Sequence, residues 1–195
     1  MEEAVEAALA TEGSPVVVSD SGDNPTAGAT EDLAIVDEHL RERGVEDALV
    51  AVVADPGALA DCRAAGEGAT VELDLGRTAH EPDAPPLDLV ATVETLGSMG
   101  GVDAAVVESE GVRTVVTGER TSVYDPDELR AVGEEPADYD LVVVKSGYQS
   151  PAYQALAARS LLALTPGDTN CVLADLPYER VPRPVYPLDE FEWSP

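Results

Sequence analysis

Unbroken apolar runs alternate with amphipathic segments through the first part of the chain. The runs "PVVVS" and "DALVAVVADP" predict buried strands, and "TVELDLG" alternates like a strand with one exposed face. Helices are predicted at residues 2–10, in "TEDLAIVDEHLRERG" from an N-cap at Thr30, and in "PGALADCRAAG" before Gly66. Strands that alternate with helices in this way are typical of a parallel sheet flanked by helices.

The pattern changes in the middle of the chain and then returns to the first type. "PLDLVATVETLG" predicts a strand, and "AAVVESEGVRTVVTGER" predicts an antiparallel hairpin that turns at residues 109–111. "DLVVVKSGY" and "LLALTPG" are further strands, separated by a helix in "SPAYQALAARS" with Ser150 as its cap. The predicted fold is therefore α/β: a mostly parallel sheet flanked by helices, with an antiparallel hairpin insertion and an extended, proline-rich C-terminal tail at residues 177–195.

The charge of the chain is strongly negative. The sequence has 39 acidic and 11 basic residues, a formal net charge of -28, and Lys145 is its one lysine. Such a surface repels nucleic acid and anionic membranes, so neither is expected as a partner. Because the acids are spread along the whole chain rather than gathered in a tail, we interpret the surface as one adapted to concentrated salt, where screening weakens their repulsion. An ordinary acidic protein is the alternative.

The sequence favours a cytoplasmic location. The longest apolar runs fall well short of the ~20 residues of a membrane-spanning helix. The start, "MEEAVEAALATEG", lacks the basic and apolar regions of a signal peptide. Cys62 and Cys171 lie far apart and form no C-x-x-C pair, which is typical of two buried thiols in a reducing compartment.

The loop after the first strand, in "VVVSDSGDNPTAGATEDLAIV", is the first candidate site. A phosphate-binding loop would offer backbone N–H groups and a lysine, but this segment has Asp20 and Asp23 and no basic residue before Arg41. The acidic loop suits a cation, a water network or the amides of a peptide-like ligand. The alternative is a structural turn in which Asp23 and Asn24 cap the local backbone.

Lys145 is the second candidate, because it ends a buried strand in a chain that otherwise avoids lysine. Either it directs a charge into a site, or it forms a structural ion pair with a buried carboxylate such as Asp20 or Asp140. No spacing of histidines, cysteines or carboxylates predicts a zinc site, and no serine or cysteine has the context of a nucleophile. We therefore assign no catalytic and no metal-binding residue within this chain.

Five separated motifs together resemble one family. "SPVVVSDSGDNPTAG", "ADPGALADCRAAGEGATVELDLG", "DLVVVKSGYQSPAY", "LLALTPG" and "LPYERVPRPVYPLD" occur in an order that resembles the C-terminal domain of the microcystinase C (MlrC) metallopeptidase family. The resemblance covers almost the whole chain, so residues 1–195 are expected to form one domain of this type. It is weakest between His80 and Asp140.

The resemblance implies a zinc-dependent hydrolase of amide bonds in small peptides. It also implies that the zinc ligands lie in a preceding N-terminal domain, on the same or a separate chain, and that this chain alone binds no zinc. The N-terminal metallopeptidase domain and a small peptide are then the expected partners. Asp23, Asn24, Lys145 and Tyr148 are the residues expected to bind substrate or to face the active site.

A competing hypothesis is a non-catalytic α/β module that binds a small ligand or a partner at its strand ends, and a third is a scaffold whose tail clamps another chain. Whether the chain has any activity alone is left open by the sequence, although the resemblance implies that it is inactive without the metal domain.

Overall fold

The computed structural model describes residues 2–77 and 84–190. Within these ranges the chain forms eight strands, which are β1 (Val16–Asp20), β2 (Ala48–Ala54), β3 (Thr70–Leu75), β4 (Leu87–Met99), β5 (Val102–Ser109), β6 (Val112–Thr117), β7 (Leu141–Lys145) and β8 (Arg159–Ala163). The α-helices are α1 (Glu2–Leu9), α2 (Ile35–Glu42), α3 (Pro56–Ala65), α4 (Pro126–Arg130) and α5 (Pro151–Leu156). The strands form one mixed sheet in the order β3-β4-β5-β6-β2-β7-β1-β8. The predicted α/β fold with a mostly parallel sheet is confirmed.

The parallel half of the sheet contains β6, β2, β7, β1 and β8. Every residue of β1, β2 and β7 is buried, which explains why these strands are continuous apolar runs rather than alternating ones. β7 lies between β2 and β1, and its register places Lys145 beside Asp20. Because neighbouring strands are parallel, their carboxyl ends meet at one edge of the sheet.

The antiparallel half is a meander from β3 to β6. The turn between β5 and β6 uses Glu110 at φ 53° and Gly111 at φ 82°, the left-handed conformations that a two-residue hairpin needs. The predicted hairpin is thus present, but it belongs to a larger insertion. β3 was expected to join the parallel sheet after α3, and instead it pairs antiparallel with β4 at the far edge.

The core has three parts, each covered by helices. Val17, Val142 and Val144 pack with Tyr153 of α5 on one face of the sheet. On the opposite face, residues of α1 and α2 pack against β1, β2 and β7 around Leu40. A third cluster lies beneath α3, where Leu59 and Cys62 contact the antiparallel strands. The helices therefore flank both faces, as expected.

Two helix boundaries differ from the sequence prediction. α2 begins at Ile35 after Ala34, not at Thr30, because Glu31 adopts a left-handed conformation at φ 65° that interrupts any helix. α5 is capped by Ser150 as predicted but ends at Leu156. The residues that follow pair with β1 as β8, so strand pairing overrides the helix propensity of "ALAARS".

The C-terminal segment was predicted to be extended, but its described part includes a turn in which the Asp189 N–H donates to the Val185 carbonyl at 3.0 Å. Residues 177–190 contain no helix and no strand, and residues 191–195 lie outside the described part of the chain, as does His80. Cys62 is buried, but Cys171 is exposed, so the expectation of two buried thiols is wrong for the second. No helix in the described ranges is long and apolar enough to cross a membrane.

Candidate functional site

The candidate site lies where β1 and β7 end at the carboxyl edge of the sheet. β1 leads into residues 21–34, which we call the strand-end loop, and β7 ends at Lys145 beside it. In open α/β sheets this edge is the usual place for ligands. The loop contains an unusual number of buried polar side chains, among them Ser21, Asp23, Asn24, Glu31 and Asp32.

Lys145 is buried and holds the two ends of this loop together. Its Nζ donates to Asp23 Oδ2 at 2.6 Å, to the Leu33 carbonyl at 2.7 Å and to the Glu31 carbonyl at 3.1 Å. An ammonium group has three protons, so these three acceptors satisfy it completely. The ion-pair alternative for Lys145 therefore describes its contacts, but the partner is Asp23. The partners considered from sequence were Asp20 and Asp140. Neither forms the ion pair with Lys145, and Asp140 is exposed.

Asp23 is satisfied in the same way. Besides the lysine it accepts the backbone N–H of Glu31 at Oδ1, at 2.8 Å, and that of Leu33 at Oδ2, at 2.9 Å. Its side chain is 2% exposed. Both oxygens therefore face the loop interior, and the Asp23–Lys145 pair fixes the path of residues 30–33.

Asn24 caps a short 3-10 helix at Pro25–Ala27. Its Oδ1 accepts from the backbone N–H of Thr26 at 3.0 Å and from the Thr26 hydroxyl at 2.8 Å. Its own N–H donates to Thr169 Oγ1 at 3.0 Å. The Asn24 Nδ2 group donates to no residue of the described chain, so it is the one free polar group of this side chain.

Asp20 and Gly22 join the loop to the segment after β8. The Thr165 hydroxyl donates to Asp20, and the N–H of Gly22 donates to Thr165 Oγ1 at 2.8 Å. Burial raises the pKa of Asp20, an effect that the nearby Lys145 opposes. A Cβ on Gly22 would lie 2.2 Å from the Pro166 carbonyl oxygen, so only glycine permits this approach.

Glu31 is a buried carboxyl that sequence analysis missed, since it was placed in the first turn of a helix. Its Oε2 accepts from the Thr121 N–H at 2.7 Å, and the residue is 1% exposed. Burial raises the pKa of Glu31 from 4.5 to about 8, against the lowering effects of the Thr121 N–H and Lys145. No local sequence pattern predicts that Glu31 is buried and bonded to Thr121, because Thr121 lies 90 residues away in the chain.

Tyr148 lies apart from these buried groups, at the surface. It is 62% exposed, and interaction with the neighbouring Tyr124 side chain raises the pKa of Tyr148. The structure thus brings Asp23, Asn24 and Lys145 together at the carboxyl edge of the sheet and leaves Tyr148 at the protein surface.

The described residues do not provide a metal site. No group of three or more histidine, cysteine or carboxylate side chains in residues 2–77 and 84–190 has an arrangement that could hold a metal ion. A zinc ion, which needs three or four such ligands, does not fit these residues.

Comparisons with known proteins agree on one relationship. A family model described as "MlrC C-terminus" matches residues 18–180. Microcystinase C of Sphingomonas sp is 27% identical over 195 residues, an alignment that covers 95% of this chain and 38% of that protein. The crystal structure of a candidate metallopeptidase from Mesorhizobium sp. BNC1 superimposes with a TM-score of 0.79 at 28% identity, over 99% of this chain and 41% of the other. The chain therefore spans about two fifths of the length of these relatives.

Proposed function

The chain belongs to the MlrC C-terminus family, and from this we propose that it is the C-terminal domain of an MlrC-like zinc metallopeptidase. In this proposal residues 1–195 are one domain of an enzyme that hydrolyses amide bonds in small peptides. The domain contributes a substrate-binding loop and an interface. An N-terminal metallopeptidase domain, on the same or a separate chain, supplies the zinc ligands.

The roles proposed for residues of this chain rest on one observation: the Lys145 ammonium and the Asp23 carboxylate have all their hydrogen-bond partners within the protein. Because the ammonium and carboxylate groups are satisfied internally, they hold the strand-end loop in one conformation without meeting a ligand. Of the four residues expected at the site, those with a group left to meet a ligand are Asn24, which is 6% exposed and has its Nδ2 group free, and Tyr148, which is 62% exposed. We therefore assign Asp23 and Lys145 to positioning the loop, and Asn24 and Tyr148 to contacts with substrate.

The chemistry of such a contact follows from the amide group of Asn24. Its NH₂ group can donate to a peptide carbonyl while its oxygen keeps the cap on Thr26. A zinc ion in the neighbouring domain would polarise the scissile carbonyl and activate water. The role of this chain is to hold the peptide in a fixed orientation, for which a preorganised loop is needed.

The experiment is reconstitution of this chain with a family metal domain, in the presence of zinc, with hydrolysis of short peptides as the readout. We expect the chain alone to be inactive and the combination to be active. Stoichiometric zinc and metal-dependent turnover by the chain alone would contradict the proposal. Association without hydrolysis of any peptide would favour the non-catalytic module instead.

Two variants of Asn24 separate substrate contact from capping. Asn24→Asp keeps an oxygen for the Thr26 N–H but removes the donor, whereas Asn24→Ala removes both. If the donor meets substrate, both variants should lose roughly tenfold in turnover, about 1.4 kcal/mol, and only Asn24→Ala should lower the melting temperature. Normal turnover of Asn24→Asp would reject the assignment of Asn24.

A further inference from the structure

A cleft of about 490 Å³ opens on the face of the sheet that carries α5. Ser19 of β1 and Leu162 of β8 are register partners on its floor, and Gln149 and Tyr148 border it from the segment after β7. Gly147 links this cleft to the strand-end loop, because a Cβ there would lie 3.0 Å from Asn24 Nδ2. We call it the neutral cleft, since none of the described residues that line it is charged. In a chain of net charge -28 an uncharged lining is a distinctive property.

Two residues that line the neutral cleft have a side-chain oxygen without a hydrogen-bond partner in the described chain. Ser19 is 1% exposed, and its Oγ bonds to no described residue. Gln149 is 8% exposed, and its Oε1 is likewise without a partner in the described chain. Buried polar groups are normally paired, so these two oxygens are available to pair with a group bound in the cleft.

The chemistry of the two groups is fixed by their surroundings. The Gln149 Nε2 group donates to the Val17 carbonyl at 2.6 Å and to the Leu161 carbonyl at 3.3 Å, and since only NH₂ can face two carbonyls, Oε1 must be the free end. The two residues therefore leave one acceptor, on Gln149, and one hydroxyl donor, on Ser19, buried and unpaired beside the cleft. This pair complements an amide, whose N–H donates and whose carbonyl accepts.

The other residues that line the cleft favour amides that are uncharged and carry an apolar side chain. Leu162 is 50% exposed, and the Tyr148 ring is also open to solvent, so both offer apolar surface to a ligand. A ligand carboxylate would meet no cation in the cleft and would be repelled by the protein as a whole. A ligand ammonium would be buried without a carboxylate partner.

We propose that the neutral cleft binds an uncharged amide flanked by an apolar side chain, such as an internal segment of a small peptide. The inference rests on the proposed function for its biological meaning, because it places the uncharged part of the substrate in this cleft. The binding itself needs neither zinc nor a second domain, so it can be tested on this chain alone.

The test measures binding of N-acetyl-L-leucine N′-methylamide to the full chain by NMR titration. We expect millimolar binding with shifts at Ser19, Gln149 and Leu162, as befits so small a ligand. N-acetyl-L-leucine, which has a carboxylate in place of the second amide, is the matched ligand and should bind at least fivefold more weakly. Equal affinity for both ligands, or no binding of the amide, would overturn the proposal.

Ser19→Ala is the decisive variant, because it removes an atom that bonds nothing in the described protein. It should weaken amide binding about fivefold, the effect of one neutral hydrogen bond, without lowering the melting temperature. Ser21→Ala is the control, since the Ser21 hydroxyl donates to the Ala163 carbonyl at 2.9 Å; it should lower stability and leave the affinity unchanged. Unchanged affinity of Ser19→Ala would overturn the proposal.

Two other occupants would give different results. If only an ordered water joins Ser19 and Gln149, a high-resolution structure will show that water and the amide will not bind. If the cleft receives main chain of a neighbouring domain, Ser19→Ala will weaken domain association while the free amide does not bind. Either result overturns the proposal, and neither decides whether the reconstituted enzyme hydrolyses peptides.

Discussion

Lys145 illustrates at the scale of one residue how this chain uses a buried charge. Removing an ammonium and a carboxylate from water costs several kcal/mol, and their attraction offsets this only when every proton and lone pair finds a partner. Here the ammonium has three acceptors, and the Asp23 carboxylate also accepts two backbone N–H groups. We infer that the pair contributes more to the unique path of the loop than to net stability.

Asp23→Asn should destabilise the fold strongly. The substitution removes the one carboxylate that contacts Lys145 directly among the described residues and turns an NH₂ group toward donors, and breaking such a pair costs about 3–5 kcal/mol of the free energy of unfolding. Chemical denaturation at neutral pH measures the loss. Activity in reconstituted enzyme should fall with the folded fraction, since Asp23 acts through the loop.

The control for Asp23→Asn is Asp103→Asn, which breaks an exposed ion pair. Asp103 contacts Arg63 at 2.8 Å, but its side chain is 59% exposed, so water replaces the lost partner and the change should be small. Equal losses in the two variants would show that the buried pair does not fix the loop.

Glu31 gives a pH dependence whose sign can be worked out. Its pKa rises from 4.5 to about 8 on folding, so between these values the folded state holds a proton that the unfolded state has released. Stability should therefore fall as pH rises through this window, with a total effect of roughly 5 kcal/mol from this group alone. Above about pH 8 both states have lost the proton, and the contribution becomes constant.

Glu31→Gln tests this dependence because glutamine resembles the protonated acid and keeps an acceptor for the Thr121 N–H. The free energy of unfolding of the variant should lack the decrease with pH that Glu31 causes in the parent protein. The difference in stability between variant and parent should therefore grow in favour of the variant between pH 5 and 8. Denaturation curves across this range measure the difference. Parallel pH profiles for the two proteins would contradict the buried, protonated state.

At the scale of elements, the site depends on two loops that cross at the carboxyl edge of the sheet. Gly22 in the strand-end loop lies against residues 165–167, and a Cβ there would meet the Thr165 carbonyl at 2.3 Å as well as that of Pro166. The Thr169 hydroxyl donates to the Gly22 carbonyl at 2.8 Å, and the Thr165 hydroxyl binds Asp20. The loop is thus held from β7 by Lys145 and from β8 by this crossing.

Gly22→Ala should separate the two loops. The backbone contacts cannot yield as a flexible side chain would, so we expect a loss of about 1–3 kcal/mol in the free energy of unfolding. Gly97→Ala is the matched control, because the nearest atom to its Cβ would be Val132 Cγ1 at 3.9 Å. If thermal melts show equal effects in the two variants, the crossing is looser than the structure indicates.

The elements that sequence predicted best are those whose signals are local. β1, β2 and β7 followed from apolar runs, and the β5–β6 hairpin followed from the turn at Glu110 and Gly111. The edge position of β3 could not be predicted, because the same alternating pattern serves a parallel or an antiparallel neighbour.

The candidate site shows the same division between local and distant signals. Sequence singled out Asp23, Asn24 and Lys145 from their residue types, and the structure brings them together. It could not give the lysine its partner, since 122 residues separate Lys145 from Asp23. For the same reason it placed Glu31 in a helix rather than in a buried contact with Thr121.

At the scale of the whole molecule, the negative charge is too large for the ion pairs of the protein to neutralise. Arginines join exposed carboxylates on several elements, as in Arg43 with Glu2 and Arg130 with Glu135. With 39 acids against 11 basic residues, however, most carboxylates have no basic partner to meet. Their mutual repulsion is a cost of the compact state that depends on the solvent rather than on any single contact.

Stability should therefore rise with salt. The Debye length falls from about 10 Å at 0.1 M to about 3 Å at 1 M, so potassium chloride at molar concentration suppresses repulsion between all but adjacent carboxylates. The melting temperature should increase steadily from millimolar to molar salt. A melting temperature that is flat or falling would contradict our interpretation of the surface as one adapted to concentrated salt.

A charge-reduced variant distinguishes screening from a general effect of salt on apolar burial. Glu42, Glu46 and Glu119 are exposed, and their replacement by glutamine changes the formal net charge from -28 to -25 without touching the core. If repulsion limits stability, this variant should melt higher than the parent at low salt, and the two curves should converge at molar salt because screening then removes the difference. Curves that stay parallel would assign the salt effect to burial of apolar surface, which is the same in both proteins.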